Sequence, residues 1–383
     1  MIFTYRTHVN LLFGHGTAEQ IGKETAKYGK KAMIVTGGRS TKKSGLLKRV
    51  ETQLDQEGVE HLLFDKAQPN PLVSIVEEGA KLAKEEGCDV VIALGGGSVI
   101  DLSKGVCARA VSEDTILDML YKGAPIDKAI PLIAVPTTCG TGSEADNIGV
   151  LTNDANNDKK AIKSTEIVPK ISIVDPELMM TMPKHVYASV AFDALCHLME
   201  AYLTKRATPM SDMFAMEGLR LMKDNILKVY NNYEDKDAWA CVALASTLGG
   251  YTLDAVSVVA PHGMDHPIGG LRNAVHGKGL AAITPVIFKD LIPDAPERLA
   301  VISRMFGGTD ENDCYKAILN LLKAMDMDVT LADLGFEDSD IEWLTNNCFE
   351  VSSWVMGGTP GTWDRERVER MYRASMTFNK EQG

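Results

Sequence analysis

Asp89-Val90-Val91-Ile92-Ala93-Leu94 runs straight into Gly95-Gly96-Gly97-Ser98-Val99-Ile100-Asp101. This junction decides the fold. Six residues of strand length with no polar alternation after the first read as a parallel strand covered on both faces. The glycines then break the strand, and Ser98–Val111 reads as a buried helix. Three glycines let a backbone approach a phosphate closely, and the start of the helix offers N–H groups and the positive end of its dipole. A plain strand-to-helix turn needs only one glycine. The stretch is neither G-x-G-x-x-G nor a Walker A loop, so neither label applies. Asp101, one turn into the helix, reads as an organiser of the loop.

The same texture extends outward on both sides. Ala32–Thr36 ends in Gly37-Gly38, Ile130–Val135 ends in Pro136-Thr137-Thr138, and Ile171–Val174 ends in Asp175-Pro176. Ser40–Gln56 and Pro71–Glu86 carry amphipathic helical periodicity between these runs. Strand, helix and strand in succession predict right-handed βαβ units and a mostly parallel sheet. Val150–Lys163, with Asn153-Asp154-Ala155-Asn156-Asn157-Asp158 at its centre, predicts a hairpin. Pro136-Thr137-Thr138-Cys139-Gly140-Thr141-Gly142-Ser143-Glu144 is a second glycine-bearing turn. Its hydroxyls suit pyrophosphate or ribose contacts, or they cap the helix that follows. Two such turns after neighbouring parallel strands suggest a nucleotide lying across the carboxyl ends of the sheet.

After Met182-Pro183 the strand signal stops. Val186–Leu203, Pro209–Val229, Ala238–Leu253, Cys314–Ala324 and Arg365–Ser375 all read as helices. The expectation is an α/β domain over 1–183 followed by an all-helical domain over 184–383.

Composition excludes several classes. The 383 residues are 45% hydrophobic and 24% charged, an ordinary globular balance that excludes disorder and collagen-like repeats. Forty Lys and Arg against 52 Asp and Glu give a net charge of −12, which disfavours nucleic acid and anionic membranes as partners. The seven cysteines form no C-x-x-C pair, so reduced thiols are expected rather than a disulfide framework or a cysteine zinc site. Met1-Ile2-Phe3-Thr4-Tyr5-Arg6 lacks the basic flank and apolar core of a signal segment. The expected location is cytoplasmic.

The chain has eight histidines. Asp193 and His197 lie four apart in a helical pattern, which puts them on one face. His262, His266 and His276 fall within fifteen positions of each other. A carboxylate with imidazoles is the ligand set of a divalent transition metal. A single histidine would more simply be a core or surface residue; the clustering is what points to a metal.

Gly95–Asp101, Pro136–Glu144, Asp193-Ala194-Leu195-Cys196-His197, His262–His266 and His276-Gly277 together resemble the group III, iron-dependent alcohol dehydrogenases. The likeness runs from about Phe13-Gly14 to beyond Gly277. It implies a dinucleotide-binding N-terminal domain, a helical C-terminal domain and a metal in the cleft between them. On that pattern Asp193, His197, His262 and His276 hold Fe(II), with Zn(II) an open alternative. His266 stays off the metal, near the nicotinamide and substrate, and relays a proton. Gly95, Gly96, Gly97, Ser98, Val99, Thr137, Thr138 and Thr141 hold the cofactor phosphates, and Asn70, Lys160 and Leu178 match further cofactor positions. Many NAD-using relatives place an Asp after the first strand, where this chain has Gly37, Gly38, Arg39 and Ser40. That departure implies a preference for NADP(H) over NAD(H), because no carboxylate repels a 2′-phosphate there. A small alcohol or aldehyde is the implied substrate, and a homodimer the implied assembly. Thr359-Pro360-Gly361 replaces the Asn-Pro-Arg that some relatives carry in the substrate region. Two alternative readings share the fold. A dehydroquinate-synthase-like lyase would use a Glu ligand in place of Asp193, and a metal- or nucleotide-sensing protein would have no use for His266.

Overall fold

The computed structural model describes Phe3 and residues 9–382. Most of the stretch read for a signal segment (Met1, Ile2, Thr4, Tyr5, Arg6) lies outside the described residues. The chain divides between Met182 and Pro183 into two compact units.

The first unit is an α/β layer structure built on a six-stranded parallel sheet in the order β1-β8-β5-β4-β2-β3. Its strands are β1 (Asn10–Phe13), β2 (Lys31–Gly37), β3 (Glu60–Ala67), β4 (Val90–Gly95), β5 (Leu132–Pro136) and β8 (Ile171–Val174). The strand β6 (Ile148–Thr152) pairs antiparallel with β7 (Lys159–Lys163) as the predicted hairpin. The helices are α1 (Ile21–Thr25), α2 (Ser40–Lys43), α3 (Leu46–Gln56), α4 (Val73–Glu85), α5 (Gly97–Ala110), α6 (Ile116–Tyr121) and α7 (Pro176–Met179). Alternation along each strand divides the core in two. Met33, Val35, Val91 and Ala93 pack with α4 and α5 on one face. Ala32, Ile34, Val90 and Ile92 pack with α1 and α3 on the other. The sheet is therefore doubly wound, and every residue of β4 is buried, as its unbroken apolar run requires.

One expectation is corrected. The periodicity of Ser40–Gln56 is carried by two helices, because Gly45 takes φ of 76° and breaks the helix before Leu46. A left-handed residue cannot continue a right-handed helix, and glycine takes that conformation without penalty. Strands β1 and β3 were not predicted; both lie at sheet edges and expose polar ends, so neither is uniformly apolar.

The second unit is helical: α8 (Lys184–Leu203), α9 (Pro209–Asn231), α10 (Lys236–Val256), α11 (Ala260–Arg272), α12 (His276–Asp290), α13 (Pro296–Met305), α14 (Cys314–Ala324), α15 (Ile341–Gly358), α16 (Arg365–Ala374) and α17 (Phe378–Glu381). No strand occurs among its described residues. α8 is its central helix, buried along most of its length. No single described helix is long and apolar enough to cross a membrane.

Candidate functional site

In the helical unit, α8 presents Asp193, His197 and Glu200 at i, i+4 and i+7, on one buried face. Two further histidines reach this face because of where their helices begin. His262 lies in the first turn of α11. The fully buried Glu200 carboxylate holds that turn, accepting the Val259 N–H at 2.8 Å and the His262 N–H at 3.3 Å. His276 opens α12, and the next residue must be small: a Cβ on Gly277 would collide with the Ser189 carbonyl of α8. Gly279 likewise leaves room for the buried Asp265 carboxylate.

The result is a convergence on one oxygen. Asp193 Oδ1 stands 3.3 Å from His262 Nε2, 3.4 Å from His276 Nε2 and 3.6 Å from His197 Nε2. Asp193, His262 and His276 offer donor atoms that all lie within 4.8 Å of one another. The His197 ring stacks on the His262 ring at 4.4 Å. The far nitrogens are tied to carboxylates: His262 Nδ1 to Glu200 Oε1 at 2.6 Å, and His276 Nδ1 to Asp265 Oδ2. A carboxylate on Nδ1 fixes the ring orientation and leaves Nε2 to face inward. Asp193, Glu200 and Asp265 are all buried, so the cluster concentrates negative charge that needs a cationic counterpart. Burial alone would raise the Asp193 carboxyl, but His197, His276 and His262 outweigh it and hold the group well below the usual range. Burial would lower His262, yet Glu200 and Asp193 push it up to about 10.

His266 lies one turn beyond His262 on α11 and is half-buried. Its Nδ1 lies 3.3 Å from Ser352 Oγ of α15.

In the α/β unit, the strand order puts the glycine turns at a topological switch point. The chain leaves β2 for β3 on one side and leaves β4 for β5 on the other, while β2 and β4 are neighbours. Ligands of doubly wound sheets bind at such a point, outside the carboxyl ends of the strands. Gly37-Gly38-Arg39-Ser40 follows β2, Gly95–Val99 follows β4, and Pro136–Thr141 follows β5. The last two are bound together: Thr137 N–H donates to the Gly95 carbonyl at 3.0 Å. A Cβ on Gly96 would stand 2.9 Å from Thr138 Oγ1, and one on Gly97 would collide with the Thr141 side chain. The glycines therefore let the threonine hydroxyls lie against the start of α5, and no side chain caps that helix. The unexposed Lys104 clamps the arrangement from below, reaching Ser143 Oγ at 2.9 Å, Asp146 Oδ1 at 2.6 Å and the Ile148 carbonyl at 2.7 Å. Ser143 Oγ in turn donates to Asp101 Oδ1 at 2.6 Å.

The remaining predicted residues are more scattered. Asn70 follows β3 with φ of 51°. Leu178 of α7 is partly buried against the α1 and α3 face of the sheet. Lys160 is turned onto the Tyr121 ring, 4.5 Å from its centre. Its neighbour Lys159 is only 6% exposed, and its charge acts on Asp101 beneath the glycine turn.

Residues 9–176 match the family model for iron-containing alcohol dehydrogenase, and residues 187–376 match the C-terminal model of the Fe-containing alcohol dehydrogenase family. The chain belongs to the iron-containing alcohol dehydrogenase family. It is 31% identical to an NAD-dependent methanol dehydrogenase of Bacillus methanolicus over 350 residues, 88% of this chain and 91% of that protein. It is 32% identical to a 1,3-propanediol dehydrogenase of Klebsiella pneumoniae, covering 87% of this chain and 88% of that one. The fold matches that of an archaeal halo-thermophilic alcohol dehydrogenase from a Red Sea brine pool with a TM-score of 0.94 and 31% identity, over 98% of this chain and 99% of that chain.

The donor set of this alcohol dehydrogenase fits a divalent transition metal: one carboxylate oxygen, ring nitrogens at 3.3–3.6 Å from it, and carboxylates behind two of the rings. The glycine–threonine cradle likewise fits a nicotinamide dinucleotide's phosphates. Sequence reading missed Glu200, Asp265 and Ser352. Glu200 had a usable signal, a carboxylate seven residues after Asp193 on a helix buried almost throughout. Asp265 lies eleven residues before its partner His276, with no periodic spacing to mark the pair, and Ser352 lies 86 residues from His266.

Proposed function

We propose that the enzyme is a metal-dependent alcohol dehydrogenase and aldehyde reductase that moves a hydride between NADP(H), used in preference to NAD(H), and a small primary alcohol or aldehyde. The observation that carries this reading is the convergence of three imidazole Nε2 atoms on Asp193 Oδ1, with Glu200 and Asp265 behind two of the rings. Asp193, His197, His262 and His276 hold Fe(II), or Zn(II) in its place. When bound, the cation supplies Lewis acidity to the substrate oxygen and the nicotinamide supplies or accepts the hydride. Glu200 and Asp265 keep His262 and His276 oriented and make their Nε2 atoms more basic. His266, held at Nδ1 by Ser352, takes up or releases the substrate's hydroxyl proton. Gly95–Val99, Thr137, Thr138 and Thr141 seat the cofactor phosphates against α5. Asn70, Leu178 and Lys160 contribute at its margin. Gly37, Gly38 and Ser40 receive the adenosine ribose with no carboxylate directly after β2. Residues 1–183 thus bind nucleotide, and 184–383 bind metal and substrate.

We further place the enzyme in the cytoplasm as a homodimer. Seven free thiols and the acidic charge balance support a reducing, aqueous setting, and the dimer rests on the family likeness.

The experiment is oxidation of NADPH and of NADH with butyraldehyde, on chelated protein reloaded anaerobically with Fe(II) or Zn(II). Metal-dependent turnover faster with NADPH is expected. Turnover with NADH alone overturns the cofactor preference and leaves the reaction class standing. Absence of turnover with either metal and either cofactor overturns the reaction class for the substrate tested.

A further inference from the structure

The ladder between β2 and β3 slips where β2 ends. Val35 pairs with Phe64, but Gly37 pairs with Ala67, so Asp65 and Lys66 both stand opposite Thr36. A bulge of this kind re-aims side chains, and bulges recur beside binding sites. Here it brings β3 against the turn after β2: a Cβ on Gly38 would lie 4.0 Å from the Asp65 carbonyl oxygen. The Asp65 carboxylate pairs with the Lys42 ammonium of α2. Lys42 holds the Asp65 carboxyl below its usual range, so the carboxylate is charged at neutral pH. Arg39 and Lys43, on the same turn, have no carboxylate partner among the described residues. The turn therefore lacks an acid directly after β2 but gains one from the neighbouring strand, and that acid occupies one of its three cations.

We propose that Asp65 limits this enzyme's preference for a 2′-phosphate by withholding Lys42 from it. The inference rests on the reading that the Gly37–Lys43 turn receives the adenosine ribose. Without Asp65, Lys42 joins Arg39, Ser40 and Lys43 as a donor to the phosphate, a charge-assisted contact of the strong kind. With Asp65 present, the lysine is neutralised and a carboxylate stands near the phosphate's place. The pair is solvent-exposed at both ends, with side-chain exposures of 42% and 39%, so it adds little to folding and its removal leaves a folded protein.

The test is titration calorimetry of the full chain with adenosine 2′,5′-bisphosphate and with 5′-AMP, which differ only in the 2′-phosphate. Asp65→Asn is expected to tighten the bisphosphate about tenfold while 5′-AMP moves less than about twofold. Adding Lys42→Gln to that variant is expected to return the bisphosphate to its starting affinity. Equal tightening of both ligands overturns the proposal, since it would report only a general change of charge. A gain that survives Lys42→Gln also overturns it. If 5′-AMP binds but Asp65→Asn changes nothing, the role of Asp65 fails alone. If 5′-AMP binds no variant, the nucleotide reading of the turn fails and this inference falls with it.

Discussion

Around Asp193, buried titratable side chains converge on one point. Three imidazoles face one carboxylate oxygen, and two more buried carboxylates stand behind them. At the turns after β4 and β5 the opposite holds: side chains are left out, and backbone and hydroxyls remain. The difference follows from what each is proposed to bind. A small cation needs several charged or strongly polar donors at fixed points, held by a second layer. A pyrophosphate is bulky and already charged, so N–H dipoles and room for close approach suffice. The two regions should therefore break differently: the first by loss of a charge, the second by gain of a methyl group.

The largest effect is expected at Asp193. Asp193→Asn removes the negative charge on which the rings converge and puts an NH2 donor, which cannot ligate a cation, in place of one carboxylate oxygen. Bound metal measured by plasma mass spectrometry should fall to trace levels, and aldehyde reduction should drop on the order of 10³-fold, the size of a lost Lewis acid. Normal metal content in this variant would show that the cluster is not the metal centre. A smaller loss is expected one layer out. Glu200→Gln keeps an acceptor for the Val259 and His262 N–H groups but weakens the hold on His262 Nδ1. Metal affinity, measured by competition with a chelator, should fall by about 10- to 100-fold. Unchanged affinity would mean that Glu200 only caps α11.

How far the sequence alone leads also differs between the regions. β4, β5 and β8 were legible because strands covered on both faces are mostly apolar, with Ser172 the one polar residue in β8. β1 and β3 were not, because an edge strand is selected for one covered face and one open side, and its polar ends imitate a loop. The break at Gly45 was hidden by periodicity that continues on both sides of it. In the helical unit Asp193 and His197 share a helix, so spacing alone puts them on one face. His262 and His276 join them only through where α11 and α12 begin, which depends on Glu200 and on the close approach at Gly277. Such contacts bridge 59 or more residues of sequence and leave no periodic trace.

The smaller effects belong to the glycine turns. Gly97→Ala drives a Cβ into the Thr141 side chain at the junction of two turns. Overpacking of this kind costs about 1–3 kcal/mol. Relief requires Thr141 to leave its place, so the dissociation constant of NADPH should rise about tenfold with metal content unchanged. A fall in metal content would show that the regions are not separable. The smallest effect concerns Cys139, which lies unexposed between Thr138 and Gly140. Burial pushes its thiol up to about 12, against about 9 for an unfolded thiol. Because the folded value is the higher one, its contribution to stability is intact below pH 9 and shrinks as pH rises toward 12, where only the unfolded thiol ionises readily. At pH 8 iodoacetamide should therefore leave Cys139 unmodified over hours while the half-buried Cys241 is alkylated, as peptide mass mapping would show. Labelling of Cys139 at that pH would mean that the turn opens despite the Lys104 clamp beneath it. The glycine turns would then be a mobile lip rather than a preformed cradle, and the contrast with the Asp193 cluster would be one of motion as well as composition.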